Sequence, residues 1–250
     1  MDEESQVVHI VPMGLEVDRV IGGLKRFPTN KLILIYGVDS TSEIEKKARA
    51  NGKKIREMVK ATMDVEEIEM DIFDFYSGTR KLRGLFEDLG KKGHSIQVNI
   101  STGNRIITSA ALLACFMTGA NPYYVRPLKY SIPEDQEVLS HGVDRVIAIP
   151  SVSINGPSPS EQAVLEVLGN MGGSARHETS LIAPLDDIGD LFKEKKDGES
   201  KKVYLARKRA HLSRVLRNLE RKGYIRLVQK GRYVRVNLTD TGKLFSGHNG

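Results

Sequence analysis

Lys201-Lys-Val-Tyr-Leu-Ala-Arg-Lys-Arg-Ala-His-Leu-Ser-Arg-Val-Leu-Arg-Asn-Leu-Glu-Arg-Lys-Gly-Tyr-Ile-Arg-Leu-Val-Gln-Lys-Gly-Arg-Tyr-Val-Arg-Val-Asn-Leu238 decides the fold of the C-terminal third of this chain. Its first part has a helical pattern. At roughly 100° per residue, Leu212, Val215, Leu216 and Leu219 gather on one face, with Arg207, Arg214, Arg217, Asn218 and Arg221 opposite. Gly223 supplies a stop, because glycine enters the left-handed conformation without a steric penalty. The pattern then changes to alternation: Ile225 and Leu227 with Arg226, then Val234, Val236 and Leu238 with Arg235 and Asn237. Between them lies the Lys230-Gly231-Arg232 turn, so this part is a hairpin with one buried face. Thirteen Lys or Arg lie between residues 201 and 235 against the single acid Glu220, a charge density suited to a phosphate backbone.

Helix, turn and basic hairpin resemble the recognition helix and wing of a winged helix-turn-helix domain. Leu238-Thr-Asp-Thr-Gly-Lys243 resembles the segment that follows such a wing. The resemblance implies binding to double-stranded DNA through Arg207, Arg214, Arg217, Asn218 and Arg221 on the helix and through Arg226, Lys230, Arg232 and Arg235 on the hairpin. Upstream, Ser158-Pro-Ser-Glu161 reads as a capping box with proline in the first helical turn. It opens a helix over 159–171. A second helical stretch near 186–196 and the helix 203–222 complete the three helices, with 172–185 and 193–202 read as loops.

The full chain has 250 residues and a net charge of +6. Residues 158–250 hold 18 basic and 11 acidic side chains, whereas 1–157 hold 20 and 21, so all the excess positive charge is C-terminal. Residues 151–157, rich in Pro, Ser and Gly, read as a linker between a near-neutral domain (1–150) and a basic one (158–250). No apolar run approaches the roughly 20 residues that cross a bilayer, and the acidic start is unlike a signal peptide. The lone Cys115, in an apolar helix, reads as a buried structural thiol rather than a nucleophile. One cysteine rules out an internal disulfide framework and fits a cytoplasmic protein with no membrane partner.

The first half alternates strand and helix. Strands are expected at 7–11, 31–37, 67–72, 96–100, 122–125 and 143–149, with helices at 16–27, 42–61, 76–92 and 104–118. That order predicts an α/β fold, a Rossmann-like, mostly parallel sheet with helices on both faces. Asn99-Ile-Ser-Thr-Gly-Asn-Arg105 lies between the fourth strand and its helix, where ligands meet such sheets. Ser101 and Thr102 offer hydroxyls, Gly103 an approachable backbone, and Asn104 and Arg105 a helix N-terminus that favours an anion. A ligand-free tight turn would use the same residue types. Pro12, Met13 and Gly14 leave the first strand at the same edge. Neither the G-x-G-x-x-G fingerprint nor a Walker sequence is present. The six histidines are scattered and no group has metal-ligand spacing, so no metal and no cofactor are expected. Glu134, Asp135 and Glu137 read as solvated acids. Tyr123 and Tyr124 alternate on a strand, one for the core and one free to touch a base.

Asn99-Ile-Ser-Thr-Gly-Asn-Arg105 resembles, without gaps, the N-x-T-G-G-T-K turn of CARF (CRISPR-associated Rossmann fold) domains, which is followed by a small, apolar helix like 106–118. Ser101 stands for Thr, Thr102 for the first Gly, Asn104 for Thr and Arg105 for Lys. The resemblance covers roughly residues 5–150. With the C-terminal part, the chain resembles archaeal CARF–winged-helix transcription regulators. This implies a homodimeric sensor of a cyclic oligoadenylate, the second messenger of type III CRISPR antiviral defence, with cyclic tetra-adenylate the expected ligand. Pro12, Met13, Gly14, Ser101, Thr102, Gly103, Asn104 and Arg105 would line the site, with no catalytic residue assigned. Two alternatives remain open: a ring nuclease that cleaves the cyclic oligoadenylate it binds, and a winged-helix protein whose α/β domain only dimerises. The apolar helix 106–118 supports a dimer by itself, since such a helix is normally covered all round.

Overall fold

The computed structural model describes residues 5–39, 41–130, 140–150, 156–189, 191–192, 194–231 and 233–246. The chain divides into two compact units, Met1–Ile154 and Asn155–Gly250. Arg232, Glu134, Asp135, Glu137 and most of the expected linker lie outside the described residues.

In the first unit the order is β1 (Val7–Pro12), α1 (Val17–Arg26), β2 (Lys31–Gly37), α2 (Glu43–Val59), β3 (Asp64–Met70), α3 (Phe75–Lys91), β4 (Ser95–Asn99), α4 (Arg105–Thr118), β5 (Asn121–Arg126), β6 (Lys129–Tyr130), β7 (Ser140–His141) and β8 (Arg145–Ala148). Six strands form one sheet in the order β3-β2-β1-β4-β5-β8. The first five run parallel, and β8 pairs antiparallel along β5 at the edge. The Rossmann-like α/β fold expected from the alternation is present.

Strand alternation separates two cores. Val8, Ile10, Ile33, Ile35 and Val98 face α3 and α4, where Leu82, Phe86, Ile107, Ala111 and Cys115 are buried. Val11, Leu32, Leu34 and Tyr36 face the other side, against Val20, Ala48 and Ile55 of α1 and α2. Burial at about 25 cal/mol per Å² of apolar surface drives both. Much of the cover on α4 comes from α3 of the same chain, through Leu82 and Phe86. Cys115 is fully buried, and burial pushes its thiol pKa up to about 12, so it remains protonated.

The second unit contains α5 (Pro159–Asn170), β9 (Ser174–Ala175), a 3-10 turn (Glu178–Leu181), α6 (Ile182–Ile188), α7 (Lys201–Arg221), β10 (Ile225–Lys230), β11 (Tyr233–Leu238) and α8 (Asp240–Lys243). The second helical stretch therefore spans 178–188 rather than 186–196. Leu181 and Leu185, spaced four apart, are the buried pair that seats it. Pro184 is tolerated because it lies in the first turn, where its missing N–H has no intrahelical role. β10 and β11 form the expected hairpin, and β11 also pairs with β9, a strand within the stretch read as a loop.

Candidate functional site

β1 lies between β2 and β4, so the chain reverses direction across the sheet between β1 and β4. Crossovers from these strands leave to opposite faces and open a crevice at their carboxyl ends. The 12–14 and 99–105 turns meet there. A Cβ on Gly14 would stand 2.5 Å from the Gly103 backbone nitrogen, and one on Gly103 would stand 2.9 Å from Pro12 Cβ. Gly103 also has φ of 85°, a left-handed value that glycine adopts at no steric cost. The two turns are packed backbone to backbone.

Hydrogen bonds hold this edge. Thr102 Oγ1 donates to the Pro12 carbonyl at 2.7 Å, and Ser101 Oγ accepts from Val125 N–H at 2.6 Å. Asn99 Oδ1 accepts from Ser101 N–H at 2.9 Å, while its Nδ2 donates to the Arg19 carbonyl at 3.2 Å. The Thr102 hydroxyl proton is thus spent internally and Ser101 Oγ serves as an internal acceptor, and Thr102 is only 2% exposed. Asn104 caps α4 by accepting from Ile106 and Ile107 N–H. Arg105 N–H, at the first helical position ahead of the two capped groups, has no intrahelical acceptor. Arg105 is exposed, and Met13 and Pro12 are buried. This edge offers an exposed guanidinium and a backbone donor over a closed floor.

Arg19, which was not singled out from the sequence, belongs to the same edge. It is buried in the first turn of α1, and Nε donates to the Val125 carbonyl at 2.9 Å. A basic residue in a helix carries no sequence signal of burial. Tyr123 is the core member of its pair, with burial pushing its hydroxyl pKa well up, and Tyr124 is half-buried beside Arg19. Among the described residues no cluster of His, Cys, Asp and Glu has metal-site geometry, and no helix is long and apolar enough to cross a membrane.

In the second unit Leu212, Val215, Leu216 and Leu219 of α7 are buried, and Arg214, Arg217 and Arg221 are exposed on the other side. Gly223, at φ of 76°, ends the helix and delivers the chain to the hairpin. Arg226, Lys230 and Arg235 are exposed on its strands, and Asn218 is half-buried. Residues 160–246 match the family model of the DUF6293 C-terminal winged helix domain.

The C-terminal unit is a winged helix domain.

Residues 7–130 match the family model HFX_2341_N:-like, N-terminal. A relative in Archaeoglobus fulgidus, an uncharacterized protein, is 24% identical over 244 residues, 95% of this chain and 96% of its own. Among solved structures, Can2 from Sulfobacillus thermosulfidooxidans in complex with cyclic tetra-adenylate is 11% identical with a TM-score of 0.44, over 94% of this chain and 77% of that one. Enterococcus italicus Csm6 bound to cyclic hexa-2'-fluoro-hexa-dAMP is 13% identical with a TM-score of 0.45, over 88% of this chain and 55% of that one. A type III CRISPR defence DNA nuclease activated by cyclic oligoadenylate is 13% identical with a TM-score of 0.45, over 92% of this chain but 32% of its own. With a parallel sheet ahead of the winged helix domain, the chain has the two-part architecture that the CARF–winged-helix resemblance implies.

Not all cations of the winged helix domain face outward. Arg207, expected on the arginine face, is bound to Glu199 at 2.9 Å and donates to the Glu194 carbonyl at 2.8 Å. Both partners lie in the segment before the helix, a pairing that helical periodicity alone does not reveal. Lys208 is buried against Asp186; burial opposes its charge, but the hydrogen bonds and charges of Asp186 and Tyr204 together outweigh it and raise its pKa. Lys222 reaches the buried Glu161 of the capping box at 2.7 Å. Burial opposes the Glu161 charge, yet Lys222 and Ser158 hold its pKa below the usual carboxylate range. These three cations hold α7 onto the domain and leave Arg214, Arg217 and Arg221 for an outside partner.

Proposed function

We propose that the chain is a ligand-responsive DNA-binding regulator. Its α/β unit binds a cyclic oligoadenylate across two copies, and its winged helix domain binds duplex DNA. The observation that carries this reading is the packing of the 12–14 and 99–105 turns at the carboxyl ends of β1 and β4, with Arg105 exposed at the start of α4. An exposed guanidinium beside a helix N-terminus suits a phosphodiester, and the same chain presents three exposed arginines on a recognition helix. Two-fold symmetry would bring two copies of the turn to one two-fold ring.

Calorimetry and thermal shift with cyclic tri-, tetra- and hexa-adenylate test this reading. Cyclic tetra-adenylate is expected to bind and to raise the melting temperature. If no ring does either, the sensor reading falls. Chromatography of the same mixtures tests cleavage, since a sensor returns the ring intact and a ring nuclease yields linear adenylates.

A further inference from the structure

Among the described residues of the α/β unit, one buried cation has no carboxylate beside it. Arg19 is 6% exposed. Its guanidinium lies over the Tyr124 ring, 4.7 Å from the centroid, and Nη2 is buried without a hydrogen-bond partner. No ion pair among the described residues includes it. The adjacent Asp18 directs Oδ2 to Gly142 N–H at 2.9 Å, and Asp144 faces Arg126 and Arg145. Arginine cannot shed its proton, so the usual escape of a buried ionisable group is closed. An uncompensated buried charge is strongly destabilising.

Neighbouring elements are fastened around this guanidinium. Val125 N–H goes to Ser101 Oγ and Val125 carbonyl to Arg19 Nε, so the guanidinium and the 99–105 turn are fastened to one residue of β5. Asn99 holds the Arg19 carbonyl. Ser140, which pairs with Tyr130 across β6–β7, also buries a hydroxyl without a partner, and Tyr130 stands 3.3 Å from the Tyr124 hydroxyl.

We infer that Arg19 is the buried anion anchor of the α/β unit, its Nη2 receiving a phosphate oxygen of the ligand held at the 12–14 and 99–105 turns. The inference rests on the sensor reading and adds to its site a residue outside both turns. A phosphodiester and free inorganic phosphate present the same oxygens, so both serve as probes.

The test compares full-length wild type with Arg19→Met and Arg19→Lys, by thermal shift and calorimetry, against cyclic tetra-adenylate and against inorganic phosphate. Arg19→Met is expected to keep or raise the melting temperature of the free protein, because an unpaired buried charge is gone. Its ring affinity should fall about 10- to 100-fold, the range for a hydrogen bond to a charged group. Arg19→Lys, with charge but no fork, should fall between. Phosphate should stabilise the wild type and not Arg19→Met. A lower melting temperature with unchanged affinity would mark Arg19 as a structural brace and overturn the anchor. If wild type and Arg19→Met bind the ring equally, the anchor falls and the sensor reading stands. If the wild type binds no ring, the sensor reading falls and phosphate alone decides: stabilisation lost in Arg19→Met supports the anchor, and none in the wild type overturns it. Where Arg19→Met fails to fold, Arg19→Lys carries the same comparisons.

Discussion

His9 is a residue whose chemistry is set by its surroundings. It is fully buried between the rings of Phe27 and Tyr123, at 5.9 and 5.7 Å, with Nε2 lacking a partner. Burial lowers its pKa from 6.5 to about 4. The folded protein therefore keeps it neutral while the unfolded chain takes up a proton below pH 6.5. Stability from this group is complete above pH 6.5 and declines as the pH falls toward 4, by about 3 kcal/mol once both forms are protonated. Urea titrations at pH 7 and pH 4.5 should show that loss in the wild type and a smaller one in His9→Gln; equal losses would assign the acid sensitivity to other groups. Arg105 is the opposite kind of residue, exposed and outside the core. Arg105→Ala should leave free-protein stability nearly unchanged and cost about 1.5–3 kcal/mol in cyclic oligoadenylate binding. Calorimetry reads the second effect, and undiminished affinity would remove Arg105 from the site.

At the scale of the element, α7 separates two jobs. Leu212, Leu216 and Leu219 seat it, and Arg214, Arg217 and Arg221 are left outside. If this face enters the major groove, Arg217→Ala should relax sequence preference by about 1–3 kcal/mol. Lys230→Ala, on the hairpin, should weaken all sequences alike and lower the salt slope by about one. Fluorescence anisotropy on specific and random duplexes separates the two. A triple alanine variant at 214, 217 and 221 that binds DNA as the wild type does would place the interface elsewhere. Arg207→Ala is expected to act differently, through stability, since its partners are Glu199 and the Glu194 carbonyl.

For the whole molecule, α4 bears on oligomeric state. Ile106 is 40% exposed, and Leu112, Leu113, Phe116 and Met117 are half-buried although α3 covers the other side. A second copy of the chain is the proposed cover. Sedimentation should give a dimer for the wild type and a monomer or aggregate for L113E, and a wild-type monomer at micromolar concentration would end this proposal. In the regulator reading, the ring changes DNA affinity by the same factor by which DNA changes ring affinity, because coupling free energy is reciprocal. Measuring both factors is the check; a ring that binds and leaves DNA affinity untouched would separate the two units functionally.

Hydrophobic period and glycine placement were enough to read, from the sequence alone, the strands, the recognition helix, the hairpin and the turn at 99–105, because these are set within a few residues, and the alternating order of strands and helices implied the parallel sheet. Strand and helix periods differ, and Gly103 and Gly223 mark turns that bulkier residues resist. Where each polar group is spent was decided only by the tertiary structure. Ser101 and Thr102 look in sequence like ligand hydroxyls, yet their bonds run to residues 24 and 90 positions away. Arg207 shares the helix face of Arg214 but answers to Glu199, in a segment that pattern does not place. The second helix begins earlier than its sequence pattern indicates, because its burial depends on Leu181 and Leu185 meeting partners elsewhere in the domain. Arg19 had no sequence signal at all: its charge gains meaning only from burial, and burial is a property of everything that packs around it.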